Sequence, residues 1–187
     1  MTVKRKEFAS GAINLFFLKK NICIGLIFSG AFRAVAEYNS RDSGISYTPD
    51  DVIITAGCTQ AIEFSIAALR RRGSNILLPR PGFPLYATFC SYLGVNVRYY
   101  DLLPEQGWEI DLEMVERIAD KNTIAILICN PSNPCGVAYS HDHLSKVCFC
   151  SLYIDKILFC LSVPSKQLIY FQYACIHSYE NHFERCF

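Results

Sequence analysis

The feature that most constrains this chain is a regular alternation of short apolar segments with amphipathic segments between residues 51 and 129. Residues 51–55, 75–79, 95–100 and 123–129 are rich in branched, aromatic and other apolar side chains, a composition typical of β-strands. Residues 61–71, 84–93 and 112–119 carry apolar side chains at helical spacing, and Gly73 and Gly94 are stop signals for the first two of these helices. Strands that alternate with helices over short connections form βαβ units. The sequence therefore predicts an α/β fold, with a partial, mostly parallel sheet and flanking helices.

The two ends of the chain lack this alternation. Residues 148–187 contain no glycine, one proline and five cysteines, and neither helical nor strand spacing is regular there. Near the N-terminus, Lys19 and Lys20 separate two apolar runs, and the longer run, residues 22–32, is too short to span a bilayer. We therefore divide the chain into an atypical N-terminal segment (1–31), a partial domain (32–147) and an atypical C-terminal tail (148–187), and we predict no membrane association.

Charge and cysteine placement exclude several classes of protein. The net charge is +1 and the isoelectric point is near 7.5, so neither nucleic acid nor an anionic membrane is predicted as a partner. The ten cysteines are irregularly placed, and Cys58, Cys90 and Cys129 lie within apolar runs, as buried free thiols do. These thiols predict a reducing compartment, and we expect a cytoplasmic protein.

A turn between the first predicted strand and helix is a candidate anion site. Gly57 permits a tight turn, and the amides of Cys58 and Thr59 open the helix. Such a helix start offers free N–H groups and the positive end of the helix dipole to a phosphate. The alternative is a plain N-cap formed by Thr59. The G-x-G-x-x-G pattern of dinucleotide-binding folds is absent from this turn, which argues against NAD.

Two proline-rich loops follow the second and fourth predicted strands. In residues 79–86, three prolines and a glycine surround Phe83, whose ring can stack on a planar heteroaromatic ligand or pack into the core. In residues 130–136, two Asn-Pro pairs stiffen the loop, so that an asparagine side chain can bind a ligand or form an Asx turn. Ligands in open α/β sheets bind at the carboxyl ends of strands, so all three motifs are expected on one rim.

The order of the motifs carries a family resemblance. AGCTQAIE at 56–63, NILLPRPGFPLY at 75–86, DLLPEQGWEIDL at 101–112 and NPSNPCG at 130–136 follow one another in that order. Together they resemble the tyrosine and nicotianamine aminotransferase branch of the class I pyridoxal-phosphate-dependent aminotransferases. The resemblance extends weakly back to residues 32–38 and covers somewhat over half of the chain.

This resemblance implies a fold, a cofactor and a reaction. The fold is a fragment of the aminotransferase large domain, and the cofactor is pyridoxal 5′-phosphate. In the family, the turn that holds Gly57, Cys58 and Thr59 grips the cofactor phosphate, Phe83 stacks on the pyridine, and Asn133 binds the phenolic oxygen. The implied reaction moves an amino group from an amino acid, an aromatic one such as tyrosine, to a 2-oxo acid. The implied assembly is a homodimer, or a heterodimer with a full-length relative.

The residues that carry the family's covalent chemistry are not recognisable in the sequence. That chemistry needs a lysine that bonds to the cofactor and an aspartate at the pyridine nitrogen. Lys166 follows a serine but lacks the Pro-Gly and arginine expected behind it, and Asp155 lacks the expected tyrosine. No catalytic residue is therefore predicted. His141 and His143 precede Cys148 and Cys150 without a familiar ligand spacing, so no metal site is predicted either.

Three hypotheses remain open from the sequence. The first is a truncated aminotransferase, altered by read-through near Val147, that keeps cofactor contacts but has little or no activity alone. The second is a non-catalytic fragment or a partner that dampens a full-length aminotransferase. The third is a small α/β module that binds another phosphorylated ligand.

Overall fold

The computed structural model describes residues 25–43, 46–153, 157–162 and 170–174, and the chain divides into two compact units between Thr55 and Ala56. In the first unit, helix α1 (Gly25–Ser43) is followed by a short 3-10 helix, Pro49–Asp51. In the second unit, four helices pack on a six-stranded sheet.

The prediction of a strand at residues 51–55 is wrong. The Asp51 carboxylate accepts hydrogen bonds from the Thr48 amide at 2.9 Å and from the Thr48 hydroxyl at 2.8 Å. These bonds form a capping motif that draws Asp51 into the 3-10 helix begun by Pro49. Residues 52–55 continue without regular secondary structure, although their branched side chains have high strand propensity.

The sheet confirms the predicted α/β fold. Its strands are β1 (Asn75–Arg80), β2 (Asn96–Leu103), β3 (Glu109–Ile110), β4 (Thr123–Asn130), β5 (Ile157–Ser162) and β6 (Tyr170–Ala174). They lie in the order β3-β2-β1-β4-β5-β6. β1 runs parallel to both β2 and β4, and β4 runs parallel to β5, whereas β3 and β6 are antiparallel to their neighbours. The sheet is therefore mostly parallel, as expected for βαβ units.

Four helices flank this sheet: α2 (Cys58–Leu69), α3 (Leu85–Tyr92), α4 (Leu112–Ile118) and α5 (His141–Tyr153). The first three are the predicted helices with slightly different ends, and Gly94, at φ 70°, follows α3 as its predicted stop. The sequence pattern did not predict α5, β5 or β6. α5 buries His143, Cys148 and Cys150 together with Leu144 and Val147, so a pattern of aliphatic residues alone is too sparse to reveal the helix. The helix continues through residues 147 and 148, where the sequence suggested a boundary.

Each face of the sheet carries its own hydrophobic core. On one face, α2 and α3 cover side chains of β1 and β4, including Ile76, Leu78 and Leu127. On the other face, the alternate side chains Leu77, Ile126 and Ile128 pack with residues of α4 and α5. A sheet covered on both faces explains why β4 is an uninterrupted apolar run.

A polar network fastens the amino ends of β1 and β4. The Thr123 hydroxyl donates to Asn75 Oδ1 at 2.7 Å and accepts from the Asp120 amide at 2.9 Å. Asn75 Nδ2 donates to Asp120 Oδ1 at 2.9 Å. Asp120 also forms an ion pair with Arg98 of β2 at 2.6 Å. The hydrogen bond from Asn75, with those from Asn122 and Arg98, lowers the pKa of Asp120 to about 2.

Replacing Thr123 with valine tests this network. Thr123→Val keeps the shape of the side chain but leaves the buried Asn75 oxygen without its donor, which we expect to cost about 1–3 kcal/mol of unfolding free energy. Urea denaturation measures the loss. Thr88→Val is the matched control, because the Thr88 hydroxyl is exposed and bonds only to the Pro84 carbonyl within its helix. An equal effect of the two substitutions would contradict the role of the network.

His143 ties β3 to α5 in its neutral form. Its Nε2 accepts the Ile110 amide at 2.9 Å, and its Nδ1 lies 3.2 Å from Glu109 Oε2. Burial lowers the pKa of His143, Glu109 opposes that shift, and Lys146 adds to it. Because protonation at Nε2 removes the acceptor for Ile110, the neutral imidazole is the form that suits the fold.

The protein should therefore lose stability as the pH falls below about 6.5, the ordinary pKa of histidine. In that range His143 binds a proton more readily in the unfolded chain than in the folded chain, so protonation favours unfolding. The loss continues until the pH reaches the lowered pKa of the folded state. The total loss of unfolding free energy amounts to about 1.4 kcal/mol for each unit by which folding lowers the pKa of His143. Urea midpoints between pH 5 and pH 8 (about the range in which histidine titrates) should show a shallower slope in His143→Gln than in wild type. His141→Gln, at an exposed position on the same helix, should retain the wild-type slope.

Candidate functional site

The sheet order creates a crevice at one rim. From β1 the chain crosses to β2 on one side and later returns to β4 on the other side of β1. Such a reversal leaves an opening at the carboxyl ends of the two strands that flank it, here β1 and β4. Phe83 lies in the loop after β1, and Asn133 lies in the loop after β4. The topology thus places these two predicted residues in neighbouring loops at one rim.

The turn before α2 has the geometry of an anion-binding helix start. Gly57 is the N-cap, at φ 88° and ψ 171°, a conformation that strongly favours glycine. Gln60 Oε1 accepts the Ala56 amide at 2.9 Å, and this hydrogen bond closes the turn. Thr59 lies inside the first helical turn and is exposed, so the alternative of a Thr59 N-cap is excluded. The first amides of α2 have no partner within the helix and can receive an anion.

The loop after β1 presents an aromatic ring to the surface. Phe83 is 41% exposed, and its ring meets the buried Tyr86 edge-on, with centroids 5.8 Å apart and planes at 78°. Of these two aromatic residues, Tyr86, in the first turn of α3, packs in the core, and Phe83 does not. A Cβ on Gly82 would collide with the Pro79 carbonyl oxygen, so the tight path of the loop requires glycine. Phe83 and Tyr86 also line an open groove of about 290 Å³ beside Arg80 and Tyr99.

The loop after β4 is closed by its own backbone. The Ser132 amide donates to the Val137 carbonyl and the Gly136 amide donates to the Ser132 carbonyl, both at 2.7 Å. Asn130 Oδ1 accepts the Tyr139 amide at 3.0 Å, so Asn130 supplies the side-chain contact that fastens the loop. Asn133 lies at the exposed turn of this loop.

Tyr86 links the first two motifs to the end of β4. Its hydroxyl donates to Cys129 Sγ at 3.6 Å, and Cys58 packs against the core cluster that contains both residues. Burial, followed by the hydrogen bond to Cys129, raises the pKa of Tyr86, and burial with the nearby Cys129 raises the pKa of Cys58. Both groups therefore stay protonated at neutral pH. Sequence reasoning did not include Tyr86 or Cys129 in the site, although both lie within or beside the quoted motifs.

The lysines of the described residues lie elsewhere. Lys121 precedes the amino end of β4, opposite the rim, and Lys146 lies on α5. Lys166 and Asp155 fall outside the described residues. Within the described ranges, no group of three or more His, Cys, Asp or Glu side chains is placed to hold a metal, and no helix is long and apolar enough to cross a membrane.

Sequence comparison finds relatives for the region that contains the motifs. The family model for aminotransferases of class I and II matches residues 30–157. An S-alkyl-thiohydroximate lyase of Arabidopsis thaliana is 57% identical over 117 residues, which are 63% of this chain and 25% of that protein. Nicotianamine aminotransferase 1 of Oryza sativa subsp. japonica is 54% identical over 123 residues, which are 66% of this chain and 25% of that protein.

A solved structure shares the fold. The chain superposes on the tyrosine aminotransferase of Leishmania infantum with a TM-score of 0.65 and 35% identity, covering 69% of this chain and 33% of that one. These similarities confirm the resemblance predicted from the four motifs. The chain spans about a quarter of the length of the curated relatives it matches.

The close approach at Gly82 gives a test of the Phe83 loop. In Gly82→Ala the added methyl meets a backbone carbonyl that cannot rotate away, so we expect the loop to shift and the unfolding free energy to fall by about 1–3 kcal/mol. Urea denaturation measures the loss, and limited proteolysis reports the loop displacement. Gly30→Ala is the control, because beyond its chain neighbours and its own helix backbone no atom lies within 4 Å of the added Cβ in α1. That substitution should not destabilise the protein and should add about 0.5–1 kcal/mol, as alanine does for glycine inside a helix. Unchanged stability and proteolysis in Gly82→Ala would contradict the loop geometry.

Proposed function

The chain belongs to the class I and II aminotransferase family, and we propose that its second unit forms a cofactor-holding part of an aminotransferase site. The proposed reaction transfers an amino group from an amino acid, aromatic such as tyrosine, to a 2-oxo acid by way of pyridoxal 5′-phosphate. The observation that carries the proposal is the exposed Phe83 ring, held by a buried tyrosine in the loop that follows β1, where the sheet order reverses. A tyrosine aminotransferase and a nicotianamine aminotransferase among the relatives support the reaction class.

The chemistry of the rim suits a phosphorylated pyridine. The helix start at Gly57 supplies amide donors and a positive dipole for a phosphate. The exposed ring of Phe83 offers an apolar edge and face for a flat heterocycle. Asn133 adds an amide that can donate to the phenolic oxygen attached to the ring. These groups are hydrogen-bond donors and an aromatic surface.

Each group then has a distinct part. The amides of Cys58 and Thr59, with the Thr59 hydroxyl, bind the phosphate oxygens and anchor one end of the cofactor. Phe83 covers the pyridine and excludes water from it, and Asn133 donates a hydrogen bond to the phenolic oxygen. Bound pyridoxal phosphate supplies the electron sink that makes a proton at the substrate α-carbon removable.

We propose that the chain alone has little or no turnover. The reaction needs a lysine amine that bonds to the cofactor and moves a proton. Lys121 lies beside the wrong end of β4, and Lys146 lies on α5, whose residues pack in the core of the opposite sheet face from α2. Pairing with a second copy or with a full-length relative, which the chain would complete or dampen, is the proposed assembly. We propose the cytoplasm as its compartment, supported by the free thiols of Cys90 and Cys129 in the core.

Ligand binding tests the phosphate anchor. Wild type should bind pyridoxamine 5′-phosphate more tightly than pyridoxamine, measured by isothermal titration calorimetry. Thr59→Val removes one donor to a charged group and should weaken binding of the phosphorylated compound about tenfold, without changing that of pyridoxamine. Thr88→Val, at an exposed position on α3, should have no effect. Equal binding of the two compounds by wild type would refute the anchor.

Reduction with borohydride tests the proposed lack of turnover. After incubation with pyridoxal phosphate, the protein should show no phosphate-dependent lysine adduct by peptide mapping, and no transamination of tyrosine with a 2-oxo acid. One relative is named a lyase, so an S-alkyl-thiohydroximate is a second substrate to assay. A stoichiometric adduct at Lys166 accompanied by turnover would overturn this part of the proposal.

A further inference from the structure

Tyr86 is a buried residue that has no role in the proposed mechanism. It is 4% exposed, yet it touches the exposed Phe83 ring on one side and reaches the end of β4 on the other. Cys90, one helical turn further along α3, is also buried in the same core cluster. Cys90 thus provides a natural comparison for what a purely structural residue of this helix does.

Two hydrogen bonds in series run from Tyr86 to the loop of Asn133. The Tyr86 hydroxyl donates to Cys129 Sγ at 3.6 Å. The Cys129 thiol in turn donates to the Pro131 carbonyl at 3.4 Å. The thiol is therefore acceptor and donor at once, and Pro131 lies two residues before Asn133.

We infer that Tyr86 is a positioning residue, which fixes the Phe83 ring by edge contact and the Asn133 loop through the hydroxyl–thiol–carbonyl relay. The inference rests on the proposed function for its purpose, since these are the two groups assigned to the cofactor ring. It does not involve the phosphate anchor before α2. The raised pKa of Tyr86 keeps its hydroxyl a donor throughout the neutral range.

The matching experiment compares Tyr86→Phe with Cys90→Ala. Tyr86→Phe keeps the ring and removes only the relay donor, so it should weaken pyridoxamine 5′-phosphate binding about fivefold while leaving the affinity for inorganic phosphate unchanged. Cys90→Ala should change neither affinity. A merely structural role for Tyr86 predicts a different result: either neither affinity falls, or the affinities for both ligands fall equally.

Variants of Cys129 show whether the hydroxyl acts through the thiol. Cys129→Ala breaks both bonds of the relay and should weaken pyridoxamine 5′-phosphate binding at least as much as Tyr86→Phe. Adding Tyr86→Phe to Cys129→Ala should then cause no further loss. Cys129→Ser, which keeps one donor and one acceptor, should restore most of the affinity. Additive losses in the double variant would overturn the relay.

A ligand-free measurement separates failure of the inference from failure of the proposed function. In NMR spectra of the ligand-free protein, Tyr86→Phe should shift the Asn133 side-chain amide through loss of the relay, whereas Cys90→Ala should leave that amide in place. If wild type binds no pyridoxamine 5′-phosphate but this shift occurs, the cofactor proposal fails and the positioning role stands. If binding is normal and Tyr86→Phe leaves the Asn133 amide in place, the positioning role is overturned.

Discussion

The parallel pairing of β1 with both β2 and β4 is the constraint on which the rest of this structure depends. A strand between two parallel partners needs crossovers on both sides, so helices cover both faces and residues 76–79 in the middle of β1 are all apolar. The same pairing makes the chain reverse its direction of travel across the sheet at β1. The loops after β1 and β4 then emerge side by side, and the candidate site occupies their rim.

Much of this architecture could be predicted because the local signals agree with the tertiary structure. The helices α2, α3 and α4 repeat apolar residues at helical spacing, and β1, β2 and β4 are branched or aromatic. The exceptions have physical causes. The Thr48–Asp51 capping motif takes Asp51, the first residue of the predicted strand at 51–55, into a 3-10 helix. In α5, a histidine and two cysteines take core positions that a pattern search expects aliphatic residues to fill.

The candidate site divides in the same way between local and long-range features. The positive φ of Gly57 and the close approach at Gly82 are local requirements, and the glycines themselves reveal them. That Phe83 points outward while Tyr86 turns inward depends on how α3 packs on the sheet, which the loop sequence does not specify. The contact from Tyr86 to Cys129 joins residues far apart in sequence, so only the strand register can bring it about.

That register contains an irregularity that decides which way Cys129 faces. Asn75 pairs with Thr123, but Ile76 pairs with Ala125, so β4 carries one extra residue at Ile124. Ile124 and Ala125 consequently both pack in the core beneath α2 and α3, and the alternation beyond them is shifted by one position. Without the bulge, a continuous pairing from Asn75 and Thr123 would turn Cys129 to the opposite face, away from Tyr86. Residues 124–129 of β4 are all apolar, so the sequence tolerates either alternation and does not reveal the bulge. The polar network at Thr123 and the thiol at Cys129 are thus compatible in one strand only because the bulge lies between them.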